Sequence, residues 1–199
     1  LLREHAGQQP PVELLFPDGS PRRDVFARVF HNGSTQLLGL LCSDTAANQE
    51  ASQTILTLSS RHYVYDVRSQ EFLGFGDRIT LELDLQPRFL ALLPARPESI
   101  ELKRVAQPVS AGTDLAITGA VHFNQDAGLE TLAQAVHLRV LDAEGNELEW
   151  FRQNVLFRGQ TFTVHLPLSR SIAAGSYRVT AKHAFTGLET STTFEVVNR

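Results

Sequence analysis

The chain has 199 residues, 42% of them hydrophobic, enough for packed cores and far from a disordered composition. Its 22 acidic residues outnumber the 18 basic ones, a formal charge of −4, and no basic stripe emerges, so nucleic acid is not an expected partner. No apolar run approaches a membrane span, no signal-peptide pattern opens the chain, and the single cysteine, Cys42, permits neither an intrachain disulfide nor a multi-cysteine metal site.

Residues 1–11 end in Gln8-Gln9-Pro10-Pro11 and read as a linker or tail. Pro17-Asp18-Gly19-Ser20-Pro21 is a turn cluster. Val25 to Phe30 reads as a strand with Phe26 and Phe30 on one face. His31-Asn32-Gly33 signals a hairpin, and Leu37 to Cys42 is the return strand. Asp44 to Gln53 lacks an apolar stripe and is expected to be a surface loop with room for one helical turn. Ile55 to Leu58 opens an antiparallel meander. Tyr63, Tyr65 and Val67 alternate with His62, Val64 and Asp66, and Ile79, Leu81, Leu83 and Leu85 alternate with Thr80, Glu82 and Asp84, the period of a strand with one wet face. Gly74, Gly76 and Asp77 are expected to end a strand, and Gln86-Pro87 turns into the wholly apolar Phe89 to Leu93.

Pro94-Ala95-Arg96-Pro97 is the expected domain boundary, because two prolines interrupt any ladder. Beyond it, alternation recurs at Ile100–Leu102, Leu115–Phe123, Val136–Val140, Phe162–Leu166, Tyr177–Ala181 and Phe194–Val197. Asp142-Ala143-Glu144-Gly145-Asn146 is a hairpin turn leading into Leu148–Phe151. About seven short strands in about 100 residues predict an immunoglobulin-like sandwich. The segment Gly175-Ser176-Tyr177-Arg178-Val179 resembles the entry to the sixth strand of such domains, where a tyrosine ties the corner by a hydrogen bond. The fold class expected is therefore all-β: two antiparallel β-sandwich domains, residues 12–95 and 98–199, the second immunoglobulin-like, with helix limited to single turns near Asp44–Gln53 or Gly128–Ala135.

No catalytic motif accompanies this pattern. Of the seven histidines, His5 falls in the tail and His31 in a turn, His122 lies between Val121 and Phe123, and His62, His137, His165 and His183 are placed on wet strand faces or ends. None has ligand spacing, and no metal or cofactor is expected. Asp66, Glu71 and Asp77 beside Tyr65, Phe72 and Phe75 come nearest to a glycosidase acid pair, which must flank a sugar-binding cleft. Asp66 paired across strands with Arg68, and Asp77 capping a turn, account for them structurally. Trp150, the sole tryptophan, is expected in a core; exposed, it would stack on a sugar or anchor a partner. Phe72, Phe75 and Trp150 are the candidate contacts for a ligand or partner.

Tyr65-Asp66-Val67-Arg68, Leu73-Gly74 with Asp77, the alternating strand Ile79–Leu85 and Leu90 to Pro94 together resemble the C-terminal region of bacterial beta-galactosidase-like glycoside hydrolases. Asn32-Gly33 and Leu38-Gly39-Leu40-Leu41 fit the same region. The resemblance implies sandwiches that follow a separate catalytic barrel whose acid and nucleophile have no counterpart here, so no catalytic residue carries over. The chain contains no methionine and starts Leu1-Leu2-Arg3, which leads us to expect a piece of a longer protein. The function expected is a non-catalytic accessory region of a larger, secreted, periplasmic or cell-surface bacterial enzyme, with the parent's catalytic domain and a glycan as partners. The alternative is an adhesion or interaction module of a cell-surface protein.

Overall fold

The computed structural model describes residues 12–43, 51–105, 108–125 and 128–197. The chain divides into two compact units, Leu1–Pro94 and Ala95–Arg199. Both are built from antiparallel sheets curled into barrel-like sandwiches, and the described residues contain no helix beyond one three-residue 3-10 turn.

The first unit contains β1 (Val12–Leu15), β2 (Val25–Asn32), β3 (Thr35–Cys42), β4 (Ser52–Asp66), β5 (Glu71–Leu83) and β6 (Arg88–Leu93). They form one sheet in the order β1-β4-β6-β3-β2, with β5 on the other side of β4. The long strand β4 takes part in two halves of the sheet. Its first half pairs with β1, aligning Leu56 with Leu14, and its second half pairs with β6, aligning Val64 with Leu92. A register shift between Thr57 and His62 separates the halves, the kind of irregularity that bends a strand and turns its faces. Leu38, Leu56, Val64, Leu90 and Leu92, all with no measurable exposure, fill the interior.

A charge is built into this interior. Arg22 is buried, and its guanidinium donates to the Ser52 carbonyl, the Thr54 hydroxyl and Asp24 Oδ2, with Asp24 Oδ1 3.3 Å from Nε in an unaligned ion pair. It ties the β1–β2 connection to the start of β4. Cys42 lies beside it, and burial pushes its thiol above the ordinary range.

Two details differ from the expected meander. Gly74, Gly76 and Asp77 do not end a strand, because β5 runs unbroken from Glu71 to Leu83. The reversal lies at residues 67–70, where Gln70 takes a φ of 60° and Asp66 Oδ1 accepts the backbone N–H groups of Arg68 and Ser69. The carboxylate caps this turn and pairs with Arg88 at 3.4 Å, so its partner is not the Arg68 side chain. The hairpin at Asn32-Gly33 closes as its residues predict. Asn32 pairs with Thr35, and Gly33 takes a φ of 61°, the positive value a type II′ turn requires at its first loop position.

The second unit contains β7 (Pro97–Leu102), β8 (Val109–Ser110), β9 (Asp114–Phe123), β10 (Ala133–Leu141), β11 (Gln153–Arg158), β12 (Thr161–Pro167), β13 (Gly175–His183) and β14 (Glu189–Val197). One sheet is ordered β12-β9-β7 and the other β11-β10-β13-β14-β8, with β8 joining β14 in parallel. This is the two-sheet, Greek-key arrangement of an immunoglobulin-like sandwich. Inward residues alternate as the sequence indicates, with Ile117 and Val121 on one sheet and Val136, Leu138, Val140 and Val179 on the other. Tyr177 is buried, and its hydroxyl donates to the Ala173 carbonyl at 2.8 Å, the corner tie expected from the Gly175–Val179 pattern.

Several local readings are corrected. Glu149–Phe151 is the 3-10 turn, not a strand, and the edge strand is the following Gln153–Arg158. Gly128–Ala135 forms no helical turn, and β10 begins within it at Ala133. Of the other expected turn, Asp44 to Glu50 lie outside the described residues and Ser52 already starts β4. His183 has no exposure, and His62 is buried with Nδ1 2.9 Å from the Ser60 carbonyl. Both histidines sit on strands whose inward side the pattern alone did not reveal.

Candidate functional site

The feature that stands out is the outer face of the first unit's sheet. Successive strand residues point to opposite faces, and residues paired across a ladder share one. The register therefore lines up Phe72, Tyr65, Ala91, Leu37 and Phe30 in one row across five strands. A second row runs Phe75, Tyr63, Leu93, a third runs Phe89, Gly39, Arg28, and Leu41 faces Phe26 beyond it. On β4, β6 and β3 these positions are opposite in parity to the core residues Val64, Leu90, Leu92 and Leu38.

A face so apolar would ordinarily be a second core. Here its centre is buried, at Tyr65, Ala91 and Leu93, while its margins stand in solvent. On one margin Phe72 and Phe75 are about half exposed, Phe75 stacking on Tyr63 with centroids 4.3 Å apart and Phe72 tilted against Tyr65 at 5.1 Å. The Arg61 guanidinium lies 4.6 Å from the Phe75 ring centroid, a cation–π contact. On the other margin Phe26 is 69% exposed, accompanied by Phe30, Leu41 and Phe89. The ring of Phe89 lies over Gly39, its nearest atom 3.6 Å from where a Cβ would sit, an ordinary van der Waals distance. Arg28 stands over the Phe30 ring at 5.4 Å. None of the residues in these rows is a carboxylate.

Phe72 and Phe75, two of the three residues marked by sequence, are thus brought together. Trp150 belongs to the second unit and is 72% exposed beside Phe151, which takes the core position instead. The core expectation for Trp150 fails because the 3-10 turn rotates it outward. Phe26, Phe30, Leu41 and Phe89 were not singled out. Their signal was in the sequence, as apolar residues on the face opposite an already complete leucine set, but only the register shows that they adjoin.

The other candidate chemistry is accounted for locally. Asp66 is buried and spent on its turn and on Arg88, Glu71 pairs opposite it in the ladder, and Asp77 is exposed. His122 meets Glu101 at 3.3 Å and His165 meets Asp114 at 2.7 Å, both on solvent-exposed faces. Asp142 accepts from the Asn146 backbone and side chain within its hairpin turn, and those hydrogen bonds lower its pKa. Among the described residues no group of three or more His, Cys, Asp or Glu side chains could hold a metal ion, and no helix is long and apolar enough to cross a membrane. No family model matches the chain, and no curated protein matches it.

Proposed function

We propose that the chain is a non-catalytic accessory β-sandwich region of a larger bacterial carbohydrate-active enzyme, secreted, periplasmic or at the cell surface, and that its first unit braces the parent's catalytic domain. The outer face of the first unit carries this reading. Six large apolar side chains in solvent, on the two margins of one sheet face, mark a surface that another polypeptide covers. Its exposed members are phenylalanine and leucine, with few polar groups to receive the hydroxyls of a sugar, so docking is favoured over glycan capture. The acids support the non-catalytic part, since glycoside hydrolysis needs a proton donor with a raised pKa facing a second carboxylate across a sugar. Asp66 is instead engaged by a cation and two backbone donors, and Asp77 stands in water.

A second reading, an interaction module of a cell-surface protein, is favoured by the other unit. Trp150 and Leu156 expose 72% and 80% of their surface there, offering contacts of their own. The coding sequence directly ahead of Leu1 discriminates. An in-frame glycoside hydrolase domain supports the accessory reading, whereas adhesion repeats or a surface anchor support the second. The purified chain should turn over a panel of aryl glycosides only at background, and activity lost on Asp66→Asn at unchanged melting temperature would refute the non-catalytic assignment.

A further inference from the structure

The exposed margin at β2 is also an open sheet edge. The order β1-β4-β6-β3-β2 ends on this strand, and among the described residues no ladder forms on its far side. With Asn32 and Thr35 closing a two-residue loop, hydrogen-bonded pairs recur at every second position, so the backbone groups of Ala27 and Val29 point away from β3. Proteins commonly blunt such edges with lysine, proline, bulges or very short strands. The eight residues of β2 contain no lysine or proline and pair with β3 in unbroken register. Its outward side chains Phe26, Arg28 and Phe30 form a single line, and no ion pair involving Arg28 occurs among the described residues.

From this geometry we infer that β2 receives an extended segment of a partner polypeptide as an added strand, one carrying a carboxylate opposite Arg28 and aromatic residues opposite Phe26 and Phe30. Main-chain hydrogen bonds to Ala27 and Val29 would supply affinity, and the side-chain line would supply specificity. Charge selects the occupant. The rows that cross β2, β3 and β6 on this face carry arginine and no carboxylate, while a twofold pairing of two copies that set Phe26 against Phe30 would set Arg28 against itself, and like charges directly opposite destabilise a ladder. This deepens the docking reading above and rests on it.

The test uses the whole chain and a synthetic peptide, Thr-Tyr-Thr-Glu-Thr-Tyr-Thr, with a control in which lysine replaces the glutamate. Amide chemical shifts report where and how tightly each binds. The expected result is perturbation along Val25–Asn32, with the glutamate peptide favoured by about fivefold or more. Arg28→Glu should reverse that order, and Ala27→Pro, which removes only an outward N–H, should abolish both. Should Ala27→Pro fail to fold by circular dichroism, the reversal by Arg28→Glu decides alone. Absence of binding, equal affinity for the two peptides, or shifts confined to other strands would overturn the inference. Sedimentation showing a dimer that Arg28→Glu alters would overturn it in favour of a second copy. Any of these failures removes the β2 assignment only, since the accessory reading is decided separately by the coding sequence ahead of Leu1.

Discussion

His183 makes the second unit's stability depend on pH. The ring has no exposure; Nδ1 lies 2.8 Å from the Thr186 hydroxyl, the Phe185 ring meets it edge-on at 5.5 Å, and Nε2 is buried with no partner. Burial, with a smaller contribution from His137, pulls its pKa from the ordinary 6.5 to about 4. The unfolded chain therefore takes up this proton near pH 6.5, whereas the folded chain resists it until about pH 4. Between those values the unfolded state holds more protons, so stability falls as pH falls; above the upper value the group has no effect. The full difference corresponds to about 3 kcal/mol, of which about 2 kcal/mol is already lost near pH 5. Urea unfolding of wild type and of His183→Gln, each followed at neutral pH and near pH 5, measures this. The glutamine variant should be the less stable at neutral pH yet lose less on acidification, by about 2 kcal/mol, with the exposed carboxylates contributing equally to both. Equal acid sensitivity in the two proteins, or an imidazole resonance of His183 titrating near 6.5, would refute the reasoning.

Other changes test the packing argument. Tyr177→Phe removes the corner hydrogen bond and should cost about 0.5–1.5 kcal/mol in denaturant unfolding. Gly119→Ala should cost about 1–3 kcal/mol by overpacking, because a Cβ there would meet the Phe162 ring and lie 2.7 Å from the Glu101 carbonyl; a thermal melt at or above wild type would contradict it. Arg22→Ala leaves Asp24 beside a cavity without its cation and should lower stability by about 3 kcal/mol, measured by the first unit's unfolding transition. Cys42 is buried with its thiol pKa raised, so a disulfide reagent should label it far more slowly in the native protein than in denaturant. The double variant Phe26→Ser, Phe30→Ser should change stability by less than about 1 kcal/mol while weakening retention on a hydrophobic column, since both rings stand in solvent.

The all-β class could be read from sequence because period-two alternation is a local property. Ile79-Leu81-Leu83 and Val136-Leu138-Val140 each declare a buried side without reference to any other strand. Turn chemistry is equally local, as Asn32-Gly33 and the Gly175–Val179 corner show. What alternation leaves open is which neighbour lies against each face. Tyr63 and Phe26 alternate as regularly as the core leucines, yet they share an outer face only because β4 bends at its register shift and hands its second half to β6. Gly74 and Gly76 carry turn composition, but lie inside β5, where pairing with β4 outweighs the local preference. His183 reads as a surface histidine until β10 packs beside it, and Trp150 reads as a core residue until a 3-10 turn swings it outward. The exposure of these positions was thus decided by tertiary pairing, because exposure is a property of two surfaces meeting and a single strand specifies only one of them.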